Sequence, residues 1–131
     1  ALVLNEGSDV SLIATGHLVW EALEAAKQLE AEGIRAEVID IHTIKPLDNE
    51  AILRSVAKTG CVVGCEEHQY NGGLNESIAQ LLVRNNPAPM EFVGVDDKFG
   101  ESGTPDELMA KYGLKATNIV AAAKKAIARK T

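Results

Sequence analysis

No stretch of this sequence approaches the roughly 20 consecutive apolar residues that a bilayer-spanning helix needs, so no membrane-spanning helix is expected within it. The opening residues lack a basic stretch followed by an apolar one, so no secretory signal is read there. Basic charge is also short: 13 Lys and Arg face 19 Asp and Glu, for a net charge of −6. A nucleic-acid backbone would be repelled on average, and nucleic acid is not an expected partner. Basic residues gather only at Lys124, Lys125, Arg129 and Lys130. An anion-binding arm is one reading. The last turn of a helix, where cations oppose the negative dipole end, is the preferred one.

Cysteine is nearly absent. Cys61 and Cys65 lie in Cys61-Val62-Val63-Gly64-Cys65, which reads as a strand. Their separation puts both thiols on one face roughly 13 Å apart at ~3.3 Å per residue, too far for a disulfide. With no second pair nearby they do not make a zinc site. They read as reduced core residues, and the expected location is the cytoplasm.

What remains is an ordinary globular composition, 46% apolar and 24% charged over 131 residues, the size of one domain spanning 1–131. The apolar period alternates between strand and helix. Asp9 to Thr15 is a β-rich run, and from about His17 to Glu32 the residues Leu18, Val19, Ala22, Ala25, Ala26 and Leu29 form a helical stripe stopped by Gly33. Arg35 to Ile41 is the next strand. Asp48 caps a helix with Ile52, Leu53 and Val56 inward, ended by Gly60. Gly60 to Cys65 is apolar enough to be buried on both faces.

Leu74, Ile78, Leu81 and Leu82 define a helix from about Gly72 to Arg84, followed by a strand at Met90 to Val95. Thr104-Pro105-Asp106-Glu107 combines a capping box with a first-turn proline, opening a short helix that stops at Gly113. A last helix from about Ala116 turns Ile119, Val120, Ala123 and Ile127 inward. Strands separated by helices imply right-handed crossovers and a parallel sheet. Ala1 to Leu4 joins the Asp9 strand through the short Asn5-Glu6-Gly7 turn, which predicts a hairpin and one antiparallel edge strand. The expected fold is three-layer α/β/α on a mostly parallel five-stranded sheet.

Ligands and partners of open parallel sheets meet the carboxyl ends of the strands. Here those ends carry Thr15-Gly16-His17, His42-Thr43, Glu66-Glu67-His68 and Asp96-Asp97, so all three histidines share one edge. A metal site from His17, His42 and His68 lacks any short ligand spacing. A nucleophilic site lacks a strand-to-helix elbow bearing Ser or Cys. Glu66 and Glu67, adjacent on a strand, point to opposite faces and do not pair for acid–base work. Asn71-Gly72-Gly73 at a helix start offers free N–H groups to an anion, or a close approach to another chain. A polar edge with no assembled chemistry reads as a docking surface made of Thr15, Gly16, His17, His42, Glu66, Glu67, His68, Asn71, Gly72 and Gly73.

Five segments, in order and covering nearly the whole chain, then carry a family resemblance. They are Glu6-Gly7-Ser8-Asp9-Val10 through Ala14-Thr15-Gly16, Ile44-Lys45-Pro46-Leu47-Asp48, Glu66-Glu67-His68 with Gly72-Gly73-Leu74, Phe99-Gly100-Glu101-Ser102-Gly103-Thr104-Pro105, and Tyr112-Gly113-Leu114. Together they resemble the C-terminal domain of transketolase. Lys115 departs from the pattern, since relatives place a capping Ser, Thr or Asp there. The resemblance implies a part in transferring a two-carbon ketol unit between sugar phosphates in the pentose phosphate pathway, with thiamine diphosphate and Mg²⁺ in the complete enzyme. It implies that the cofactor lies between the other two domains, that this chain binds none itself and is inactive alone, and that no catalytic, cofactor or metal residue lies within it. The implied partners are the remaining transketolase domains or subunit, in a homodimer. The β-subunit of a 2-oxoacid dehydrogenase E1 and deoxyxylulose-phosphate synthase share this domain and are the enzymatic alternatives. A free-standing anion- or effector-binding module is the alternative of another class.

Overall fold

The computed structural model describes residues 2–42, 47–66, 73–94 and 115–130. Five strands, β1 (Leu2–Asn5), β2 (Val10–Ala14), β3 (Ala36–Asp40), β4 (Val62–Cys65) and β5 (Met90–Val93), form one sheet in the order β1-β3-β2-β4-β5. The described helices are α1 (Leu18–Glu30), α2 (Asn49–Thr59), α3 (Leu74–Asn85) and α4 (Ala116–Ala128). β2 lies at the centre, every residue buried, and pairs in parallel with both β3 and β4. β5 extends the parallel set beside β4. The short helix expected after Thr104 and the strand end at Asp96-Asp97 lie outside the described residues.

The antiparallel edge strand is present, but its partner corrects the expected hairpin. β1 pairs with β3, not with β2. Both edges of the buried β2 are taken by parallel neighbours, so the exposed β1 is displaced to the rim. The connection crosses the start of β3 at Gly7, where a Cβ would fall 2.4 Å from the Ala36 carbonyl carbon. Only glycine fits that crossing.

The two faces of the sheet are covered by different helix pairs. Val10, Leu12, Val38, Cys61, Val63 and Cys65 pack under α1 and α4, while Ile13, Ile39, Ile41 and Val62 pack under α2 and α3. Ala22, Ala25 and Ala26 of α1 and Ala123 and Ala126 of α4 are buried, which lets these helices sit close to the sheet and to each other. In α4 the buried position near the end is Ala126, with Ile127 only partly covered, one position off the expected stripe.

Helix boundaries follow local chemistry. Past α1 the Gly33 N–H reaches the Glu30 carbonyl and the Ile34 N–H the Leu29 carbonyl, with Gly33 at φ +80°, the Schellman arrangement expected of that glycine. Asp48 accepts from the Ala51 N–H at 3.2 Å, and this bond holds its carboxyl below the usual carboxylate range. Gly60 closes α2 in the left-handed conformation. Lys115 cannot cap α4 as Ser or Asp would. Instead Asn118 Oδ1 accepts the Lys115 N–H at 3.1 Å and Glu21 of α1 accepts the Ala116 N–H at 3.0 Å. The basic tail is held within the molecule: Lys124 bonds Glu32, Lys125 and Arg129 reach Glu91, and Lys130 donates to the Asp9 and Thr59 carbonyls.

Candidate functional site

The carboxyl edge divides into two neighbourhoods. In the first, β2 is followed by Thr15, whose N–H bonds the Cys65 carbonyl and whose carbonyl receives the Leu18 N–H. Gly16 follows at φ +59°, a conformation that side chains resist, and turns the chain into α1. His17 then stands exposed at the helix start. Beside it β3 ends at Asp40, and His42 lies with Nδ1 3.7 Å from Asp40 Oδ2. Gly16, His17, Trp20, Asp40 and His42 line one open cleft. The structure thus brings together Gly16, His17 and His42 of the expected edge, and adds Trp20 and Asp40.

The second neighbourhood lies at the carboxyl end of β4. Glu66 is 4% exposed, and its Oε2 accepts the Leu74 N–H at 2.7 Å while Oε1 accepts the Asn75 N–H at 3.4 Å. Its carboxylate therefore caps α3, facing the positive end of the helix dipole. Gly73 is the residue before that helix, in extended backbone with no side chain to cap it. Thus Glu66 and Gly73 meet, while Glu67, His68, Asn71 and Gly72 lie outside the described residues. The N–H groups that an incoming anion would use at this helix start face the protein's own carboxylate.

Two further features were not legible in the sequence. Asn75 is fully buried, its Oδ1 and Nδ2 have no partner among the described residues, and it lies over Gly64 so closely that a Cβ there would sit 2.0 Å from Oδ1. At the opposite end of the sheet, Ser11 bonds Ser55 and Thr59 at 2.6 Å each, beside a buried Glu37 that accepts from Lys58 and from the Gly7 N–H. Burial pushes the Glu37 carboxyl up, but its bonds from Lys58, Ser55 and Gly7 outweigh this and hold it below the ordinary range. Burial raises both thiols, Cys65 to about 12. These cysteines are protonated core residues, not nucleophiles.

Chemically, the described edge does not assemble a reaction centre. Among the described residues no three of His, Cys, Asp and Glu converge to hold a metal ion. A diphosphate approaching α3 would meet the Glu66 carboxylate in place of free N–H groups, and the thiols are buried and protonated. The described residues do not fit thiamine diphosphate and its metal.

Comparison with known proteins identifies the family of the chain. The family model "Transketolase, C-terminal domain" matches residues 1–119. The chain is 50% identical over 130 residues to the 6-deoxy-6-sulfo-D-fructose transketolase subunit SqwH of Clostridium sp. (strain MSTE9), covering 99% of this chain and 40% of that protein. It is 39% identical to 1-deoxy-D-xylulose-5-phosphate synthase 1 of Geobacter sulfurreducens, covering 98% of this chain and 20% of that protein. A solved structure described as a split-gene transketolase, inactive β4 tetramer, superimposes with a TM-score of 0.94 at 49% identity, over 99% of this chain and 43% of that one. The chain thus spans less than half the length of these relatives. By sequence and by fold, the chain belongs to the transketolase C-terminal domain family.

Proposed function

We propose that residues 1–131 form the C-terminal domain of a thiamine-diphosphate-dependent transketolase that transfers a two-carbon ketol unit between sugar phosphates. The domain contributes packing and assembly in this reading, with catalysis supplied by the remaining domains or a partner subunit. The observation that carries it is the superposition of 99% of this chain on 43% of a split-gene transketolase chain. The higher identity to a transketolase subunit, 50% against 39%, favours this reading over deoxyxylulose-phosphate synthase. In the complete enzyme, a homodimer, the bound cofactor supplies the carbanion chemistry. This chain's residues supply a rigid edge: Glu66 fixes the start of α3, and Gly16 and Gly73 leave room for another backbone to come close.

The assembly surface in this reading is the carboxyl edge, Thr15, Gly16, His17, His42, Glu66, Glu67, His68, Asn71, Gly72 and Gly73. The buried, free Cys61 and Cys65 support a reducing, cytoplasmic setting, and no described helix is long and apolar enough to cross a membrane. The test is ketol transfer by the full-length gene product with its partner subunit, against the same assay on this chain alone. Transfer by the full assembly with none by the chain alone supports the proposal. Transfer by the chain alone, or none by an assembly shown to bind cofactor, refutes it. Gly73→Val should weaken assembly of the complete enzyme while this chain keeps its fold.

A further inference from the structure

Trp20, the only tryptophan in the sequence, is 70% exposed on α1. It stands between two depressions, the cleft with His17, Asp40 and His42 and a groove with Asn5 and Leu23 along the seam of α1 and β1. The neighbouring edge strand β1 exposes Leu2, Val3 and Leu4 to about half their surface. A lone exposed apolar residue is ordinary. An exposed tryptophan beside an apolar strand whose outer edge has no partner among the described residues is the composition of a covered surface.

The strand register indicates what covers it. Leu2 pairs with Asp40, the last residue of β3, so antiparallel β1 begins at the carboxyl edge of the sheet. The start of β1 thus lies at the same end of the sheet as Asp40, which lines the cleft that Trp20 walls. The family is a C-terminal domain, and the chain spans 40% of the length of its transketolase-subunit relative, which leaves the larger part of such a protein to precede it. We infer that the Trp20 corner, with Leu2, Leu4, Leu23, His17 and His42, is the docking surface for the polypeptide immediately upstream of β1 in the full-length product, which inserts apolar side chains against the indole. This rests on the proposed function, of which it names one interface and its occupant.

The test is covalent footprinting by mass spectrometry, reading the Trp20 peptide in the full-length gene product and in this 131-residue chain. Labelling of Trp20 at least tenfold slower in the full-length product, at every protein concentration, supports the inference. Equal labelling in both overturns it. So does protection that appears in the 131-residue chain as its concentration rises, which would seat a second copy on the corner. Trp20→Ser in the full-length product should raise hydrogen exchange of β1 and of the upstream segment, whereas a merely structural role would leave that segment unchanged. Ketol transfer by the wild-type product is measured separately. If transfer occurs while Trp20 stays exposed, the surface is wrong and the function stands. If transfer is absent while Trp20 is protected, the reverse holds.

Discussion

Removing the Glu66 carboxylate should unfix α3 and open its N-terminus to a foreign anion. The 2.7 Å bond from the Leu74 N–H is charge-assisted and worth about 1.5–3 kcal/mol. The 3.4 Å contact from Asn75 is at the limit of a hydrogen bond and adds little. A negative charge at a partly buried helix start contributes about 1–2 kcal/mol more, offset in part by the cost of burying it. Glu66→Ala should therefore cost roughly 2–3 kcal/mol, read by urea unfolding. At about 3–5 °C per kcal/mol for a domain of this size, Tm should fall by roughly 6–15 °C. The vacated N–H groups then become the anion site that the wild-type carboxylate fills. Inorganic phosphate at ten times its Kd should return about 1.4 kcal/mol to the variant, measured against chloride at matched ionic strength, and do no more for wild type than a general salt effect. Equal or greater phosphate stabilisation of wild type, or a loss below about 0.5 kcal/mol in Glu66→Ala, would refute the capping account.

Three further outcomes follow from the same structure. Gly64→Ala should destabilise the chain by about 1–3 kcal/mol through overpacking against Asn75, and in an Asn75→Ala background most of that loss should vanish; a loss unchanged in the double mutant would show that Asn75 is not the obstruction. Glu37 has a folded pKa below its unfolded value, so it contributes stability above its ordinary value of 4.5 that is lost as pH falls through the lower folded value; Lys58→Met should flatten the acid side of the stability profile, and an unchanged profile would remove Glu37 as its source. Native Cys65, its thiol raised to about 12 by burial, should resist alkylation at neutral pH until the chain unfolds; rapid modification of the folded protein would contradict its burial.

Most of the architecture was legible because it rests on local signals. The alanine-rich stripe of α1, Gly33 and Gly60 at helix ends, Asp48 as a cap and the apolar run of β4 each carry their own chemistry within a few residues. The partner of β1 did not. A short Asn5-Glu6-Gly7 connection is the signature of a hairpin, and only the competition of β3 and β4 for the edges of β2 sends it elsewhere. The buried polar residues were equally hidden: Ser11 bonds Ser55 and Glu37 bonds Lys58, partners 21 or more residues away in sequence, and Asn75 has none among the described residues.

At the carboxyl edge, the sequence showed which polar residues collect there but not how they divide. In the sequence Glu66 reads as part of a docking edge, and its capping of α3 emerges only from its distance to the Leu74 N–H. Trp20 falls on the helical face opposite the buried stripe, where a single sequence cannot distinguish solvent exposure from a contact made by another chain.

The central claim, that this domain takes part in transketolase chemistry without holding the cofactor, is tested most directly by calorimetric titration of the 131-residue chain with thiamine diphosphate and Mg²⁺. The account predicts no saturable heat. Saturable binding with Kd below about 100 µM, equivalent to roughly 5–6 kcal/mol, would contradict it.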